Sequence, residues 1–330
     1  MQIAISKTPL RISLFGGGTD LKSYYKKKDG AVLSFTINKF LYVVVKRNQN
    51  YVDTKYRIFW SRTEFTNDIN KIKHPLAREI LKYFKIDFPI EISTFSDIPA
   101  NSGMGSSSSF AVGLINAISS LLGLKLSKSE IAKIASHIEI DILKRNIGKQ
   151  DHYAAVYGGL NLIKFKKNEK VLIKKIKISK KILLMFRSNF LLFYLKKKRD
   201  ASKILKNQLD LKPQNFEYLD QLKSYVNKSI KIIKTDDKFI VKKIGLMMNK
   251  SWELKKKNNK KASYKEVDDF YHSLLKKNFY GGKLLGAGGG GYMLAIGEKK
   301  TIKTFILNFK KYNILDIETS KYGSKIIYKN

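Results

Sequence analysis

The sequence predicts an α+β fold. Three observations carry that reading. Strand-like and helix-like apolar patterns mix along the whole chain with no strict strand–helix–strand alternation. The 330 residues, 43% of them hydrophobic, suffice for one large or two medium cores. A Lys-rich, strand-like stretch between 165 and 200 separates two glycine-rich halves, and no internal repeat is present.

Residues 2–15 alternate well enough for one or two strands, broken at Pro9. Residues 31–47 are rich in Val, Ile, Phe and Tyr and read as paired strands, and 55–60 could add another. From His74 to Phe84 the spacing is helical, with Pro75 in the first turn. Residues 90–95 read as a strand, followed by the Gly/Ser segment 101–109 and an apolar, helix-length run to Leu124 that should be buried. Ser127 and Glu130 form a capping-box pattern that starts a helix running to about Leu143. Short apolar runs over 160–195 read as strands, and 200–255 turns helical and Lys-rich. A helix over 264–278, a strand–Gly turn–strand over 283–296, a helix over 299–309 and two short strands complete the chain.

The net charge is +38, from 65 Lys+Arg against 27 Asp+Glu. An anionic partner is one reading of it. The favoured reading is codon bias on solvated faces, because only eight of the basic residues are Arg and the Lys are spread evenly rather than gathered into an arm. The lack of Cys excludes a disulfide framework, a thiolate zinc site and a Cys nucleophile. No run of 18 apolar residues predicts a spanning helix, and the N-terminus lacks an apolar leader core, so a cytoplasmic protein is expected.

Three segments, FGGGTD at 15–20, SGMGSSSS at 102–109 and GAGGGG at 286–291, carry the chemistry. Gly-rich turns let backbone approach a ligand and line up N–H groups for anions. The middle segment lies between a strand and a long helix, where free N–H groups and the helix dipole favour phosphate. It is neither a Walker loop nor a dinucleotide fingerprint, and a plain cap on a core helix is the alternative. Glu139 and Asp151, twelve residues apart, could converge on a metal and a substrate hydroxyl, or be ordinary surface acids. Arg11 places a cation where a strand runs into a Gly turn, or lies at a strand edge. The four His show no ligand spacing.

Taken together, SKTPLRISLFGGGTD, SGMGSSSSFAVGLINA, IGKQDHYAAVYGG, LLFYLKKKRDAS and GGKLLGAGGGGYML resemble the three motifs of the GHMP kinases, in order and over nearly the whole chain. Within that superfamily they are most similar to the sugar 1-kinase branch that acts on D-glycero-D-manno-heptose 7-phosphate. L-fucose and other hexose 1-kinases share much of the pattern. The resemblance implies two domains: a nucleotide-binding one over 1–170 and a ferredoxin-like α+β one over 180–330. It implies ATP and Mg²⁺ as cofactors and a sugar phosphate as substrate, in a monomer or homodimer with no nucleic-acid or membrane partner.

Residue by residue, it implies that Ser102, Gly103, Met104, Gly105, Ser106, Ser107 and Ser108 wrap the ATP phosphates. Ser107 and Glu139 would hold Mg²⁺, and Asp151 with Arg11 would be catalytic. Asp20, Gly17, Gly18, Lys149 and Arg199 would bind substrate, and Gly288, Gly289 and Gly290 would shape the site from the third motif. A phosphorylated sugar also needs cations of its own, for which Lys7, Lys149, Arg62, Arg78 and Arg199 are candidates. Asn101, Met104 and the Lys run before Arg199 depart from the family pattern. A basic RNA-binding protein is the non-enzyme alternative, disfavoured by the acidic pair at the centre of the motifs.

Overall fold

A computed structural model describes residues 2–49, 53–100, 102–195, 213–235, 237–308 and 313–330. The first sheet is built on two long strands, β1 (Gln2–Phe15) and β2 (Gly30–Arg47), with helix α1 (Lys22–Tyr25) between them. It continues with β3 (Tyr56–Phe59), β4 (Thr63–Thr66) and β5 (Ile90–Ser96), in the order β1-β2-β5-β3-β4. Helix α2 (Pro75–Tyr83) precedes β5, with His74 as its N-cap and Pro at the first turn. β2 is one strand, not the expected pair. No Gly or Pro turn interrupts it, and its two halves take different partners: Gly30–Phe35 pairs with β6 (Leu160–Phe165), and Leu41–Arg47 with β5.

β1 likewise runs through Pro9 without breaking. Its register on β2 shifts between Pro9 and Arg11, the bulge expected where a residue has no N–H to give. The neighbour on its other side pairs only with residues 4–7, so among the described residues no strand borders residues 9–11 there. The turn before α3 (Ser106–Leu121) fills that edge: Arg11 N–H donates to the Met104 carbonyl at 3.1 Å, and Ser109 Oγ donates to the Pro9 carbonyl at 3.1 Å. A strand irregularity thereby lays the 102–109 turn against Arg11.

α3 is buried along most of its length and packs on β1 and β2. The capping box is present, with Ser127 Oγ accepting from Glu130 N–H, and starts α4 (Lys128–Ser136). The helix then widens into a π-helical turn, His137–Ile142, before α5 (Gln150–Tyr157). β7 (Val171–Lys175) pairs with β6. Residues 180–189, expected as strand, form α6 (Lys180–Asn189): Ser179 caps it, and its buried Ile182, Met185, Phe186 and Asn189 recur at helical spacing.

The second sheet contains β8 (Phe190–Leu195), β9 (Phe279–Leu284), β10 (Gly291–Gly297) and β11 (Ile314–Leu315), in the order β11-β8-β10-β9, antiparallel throughout. Helices α7 (Pro213–Lys234), α8 (Ile240–Asn258) and α9 (Lys265–Lys276) connect β8 to β9, and α10 (Lys299–Asn308) connects β10 to β11. That order is the ferredoxin-like arrangement. The chain end then crosses back: β12 (Lys325–Lys329) pairs with β1, Ala4 opposite Lys329, so the tail does not stay with the second sheet.

An apolar core joins the halves. Leu10, Ile12, Leu14, Leu33 and Phe35 of β1 and β2 are buried with Phe190, Leu192, Ile244, Met248, Leu294 and Ile296.

Candidate active site

A cavity of about 930 Å³ opens where α3 begins, bounded by β1, α5, the 15–20 turn, α8 and the 285–290 turn. Gly105 is the N-cap of α3 at φ +76, left-handed backbone that favours glycine. A Cβ there would meet Asp151 Oδ2 at 3.2 Å, so the missing side chain lets the acid stand against the helix start. Gly105, Ser106, Ser107 and Ser108 line the cavity. The first intrahelical bond is Ser109 N–H to the Gly105 carbonyl, which leaves the N–H groups of 106–108 without helical partners at the positive end of the dipole.

Ser102 and Met104 are fully buried and hold this turn from behind rather than facing the cavity. Gly103 lines the cavity and packs against the third Gly-rich turn, where a Cβ would lie 2.6 Å from the Leu285 carbonyl oxygen. From that third turn, Gly286 and Ala287 reach the cavity, while Gly288, Gly289 and Gly290 do not; Gly289 N–H bonds the Ala262 carbonyl. The third motif thus supports the second.

Arg11 and Asp151 form a fork. Arg11 Nε and Nη2 donate to Asp151 Oδ1 and Oδ2, each at 2.6 Å, and Arg11 Nη1 donates to the Gly103 carbonyl at 2.7 Å. Arg11 is buried and Asp151 partly open to the cavity.

Glu139 projects from the π-helical turn, a distortion frequent at functional sites. Its carboxylate is 1% exposed and accepts four hydrogen bonds: Ser107 Oγ at 2.5 Å and Arg145 Nη1 at 2.6 Å on Oε1, Ser108 Oγ at 3.0 Å and His152 Nε2 at 2.8 Å on Oε2. Burial alone would raise its pKa. The His152 hydrogen bond and charge, helped by Ser107 and Arg145, outweigh that and hold it at about 2. Arg145 Nη1 also donates to Ser107 Oγ at 2.6 Å.

No group of three or more His, Asp or Glu converges among the described residues. One ionised carboxylate and one hydroxyl nevertheless fit Mg²⁺, which keeps several waters and takes much of its coordination from substrate phosphates. Glu139 and Ser107 would hold it at the α3 N-terminus, once the Arg145 guanidinium leaves their shared face.

Asp20 is 2% exposed. It accepts from Gly18 N–H at 3.0 Å and from Gln150 N–H and Nε2, both at 3.1 Å. Burial, then the nearby Asp151 charge, raise its pKa. Gly17, Gly18 and Asp20 all line the cavity. Ser13 Oγ and Gln150 Oε1 are buried there without a hydrogen-bond partner among the described residues.

Other expected cations lie elsewhere. Lys149 pairs with Glu169 at 2.8 Å over the Tyr25 ring, Lys7 covers the Phe40 ring, Arg78 binds Glu79, and Arg62 is exposed. None lines the cavity, because each has a partner or solvent closer at hand. Arg199, Asn101 and the 196–202 segment lie outside the described residues. Three cations that the sequence reading missed do line the cavity: Arg145, Lys255 and Lys283. Lys255 Nζ donates to the Gly286 carbonyl at 2.8 Å, and Lys283 Nζ to the Leu14 carbonyl at 2.7 Å. Burial, then Arg11, depress the Lys255 pKa to about 8; burial, then Lys255 and Arg11, push Lys283 well below the usual lysine value. Trp60, His74, Phe95 and Phe110 form an apolar arm of the cavity beyond the α3 N-terminus.

Two family models match the sequence: GHMP kinases N terminal domain over residues 70–159 and GHMP kinases C terminal over residues 240–314, together half of the chain. The D-glycero-alpha-D-manno-heptose 7-phosphate kinase of Campylobacter jejuni is 33% identical over 213 residues, 62% of this chain and 63% of that protein. The mevalonate kinase of Saccharolobus solfataricus is 29% identical over 162 residues, 47% of this chain and 49% of that protein. The matched part of the chain thus spans less than two thirds of the first relative and about half of the second. A D-glycero-D-manno-heptose 1-phosphate kinase from Bacteroides thetaiotaomicron superposes with a TM-score of 0.79 at 21% identity, over 99% of both chains. The Lactococcus lactis galactokinase complexed with galactose gives 0.71 at 17% identity, over 98% and 95%. At those identities the structures establish the fold.

Proposed function

Because this chain belongs to the GHMP kinases, we propose that it transfers the terminal phosphoryl group of ATP to the anomeric hydroxyl of D-glycero-D-manno-heptose 7-phosphate, a step toward a nucleotide-activated heptose for surface polysaccharide. The carrying observation is one cavity that joins an anion-binding helix start, a carboxylate–hydroxyl pair suited to Mg²⁺ and a carboxylate forked to an arginine. The choice of sugar rests on the heptose kinase relative.

In this reading the free N–H groups of 106–108 hold the nucleotide phosphates, and the Trp60–His74–Phe95 arm takes the base. Asp20, with Gln150 Oε1 and Ser13 Oγ beside it, binds sugar hydroxyls and so satisfies the unpartnered atoms. The anomeric oxygen attacks the γ-phosphorus, its proton passes to Asp151, and the bond to the ADP bridging oxygen breaks. Arg11 orients Asp151 and spreads the charge of the moving group; such transfers need positioning and charge stabilisation more than covalent chemistry. Mg²⁺, when bound, neutralises β/γ oxygens.

A coupled ADP-release assay with heptose 7-phosphate, free heptose, L-fucose and D-galactose tests the assignment. Heptose 7-phosphate should give a kcat/KM at least 100-fold above the others. A preference for fucose or galactose replaces the acceptor. No ADP from any of them, with salt-sensitive RNA binding instead, removes the kinase reading.

A further inference from the structure

Four Lys and Arg side chains line the cavity, and two of them have a carboxylate partner. Arg11 is matched by Asp151 and Arg145 by Glu139, both within hydrogen-bond distance. Lys255 and Lys283 have no carboxylate partner among the described residues; each amine is held by one backbone carbonyl. Both lie close enough to Arg11 for its charge to act on them, and Lys255 acts on Lys283 as well. Partly enclosed amines that line one cavity without a counter-charge hold their protons poorly, and an anion beside them would restore the charged form. They reach the cavity from separate elements, Lys255 from α8 and Lys283 from β9.

We propose that Lys255 and Lys283 form a second phosphoryl-binding seat, distinct from the α3 N-terminus, that takes a terminal phosphoryl dianion. The proposal rests on the kinase reading only for its source: the γ-phosphate of ATP and the phosphate ester of a sugar phosphate both end in that group. Each amine has two donors left after its carbonyl bond, so the pair offers four to three phosphoryl oxygens. Binding draws both amines back to the protonated form, so it takes up protons at alkaline pH.

Calorimetric titration with ADP, a non-hydrolysable ATP analogue and heptose 7-phosphate separates the sources without requiring turnover. In Lys255→Met and Lys283→Met, one ligand should lose at least tenfold in affinity while the others change less than twofold. Loss for the ATP analogue but not ADP assigns the γ-phosphate; loss for the sugar phosphate assigns the acceptor. In the wild type the affected affinity should fall as pH rises from 7 to 9, and Lys255→Met should flatten that fall. Thermal midpoints without ligand should hold in both variants, since each amine gives up only one bond to a carbonyl. Unchanged affinity for all three ligands overturns the proposal. So does a lowered midpoint with unchanged affinity, which would assign the amines to holding the Leu14 and Gly286 carbonyls. Failure of heptose 7-phosphate alone to bind the wild type counts against the acceptor reading, not against the seat.

Discussion

Asp151 and Glu139 are both carboxylates of one cavity, yet their surroundings give them different work. Asp151 faces the cavity and shares both oxygens with Arg11, whereas Glu139 is enclosed by four donors. Asp151→Asn should lower kcat by about 10²–10⁴-fold, the usual contribution of a positioned base, with nucleotide affinity within twofold of wild type by titration. Glu139 gives an acid signature. Its folded pKa of about 2 lies below the ordinary 4.5, so its stabilisation is complete above pH 4.5 and is lost as pH falls toward 2. Denaturant unfolding from pH 6 to pH 3 should show that loss in wild type and a flatter profile in Glu139→Gln. At neutral pH the variant should be less stable by about 3–5 kcal/mol, since it strands Arg145 and His152. Arg11, Asp20 and Asp151 stood out beside glycine-containing strings and Glu139 by its twelve-residue separation from Asp151, and all four line the cavity. Arg145, Lys255 and Lys283 did not stand out, because lysines and arginines on Lys-rich helices look the same in sequence whether they face water or a cavity.

Elements with strong local signals were readable and those set by partners were not. Ser127 and Glu130 announced α4, and Pro75 announced α2. The continuity of β2 depends on two different neighbours and leaves no local trace; Pro9 marks the bulge in β1, but the turn that fills the edge beside it lies far along the chain and is not announced there. α6 was masked by an apolar run whose period is helical only when its buried residues are known. Two substitutions separate support from decoration. Ser127→Ala removes an exposed cap and should cost about 1 kcal/mol by denaturant midpoint with unchanged kcat. Gly103→Ala would force a Cβ within 2.6 Å of the Leu285 carbonyl oxygen at positive φ, so it should part the two Gly-rich turns. KM for ATP should then rise at least tenfold.

Across the whole molecule the charge of +38 is a cost to compactness as well as a route to anions. Raising NaCl from 20 to 300 mM should therefore raise the thermal midpoint while raising KM for the anionic substrates, opposite trends that differential scanning fluorimetry and steady-state kinetics read separately. The α+β class followed from patterning. The meeting of the halves did not, because Leu10 and Phe35 give no sign in sequence that they will pack with Phe190 and Ile296. No helix among the described residues is long and apolar enough to cross a membrane.

The return of β12 to β1 has a consequence for how the chain is made. Residues 325–329 are made long after residues 4–7, yet they close the outer margin of that strand. Until then, residues 4–7 of β1 carry unpaired amides on that side, an open template for strand exchange. Ser324 then locks the closure by bonding Thr8 Oγ1 at 2.8 Å and Asn116 Nδ2 at 3.1 Å. Chains truncated before residue 324 would present an adhesive rim to their neighbours and should self-associate, whereas chains that include β12 should not.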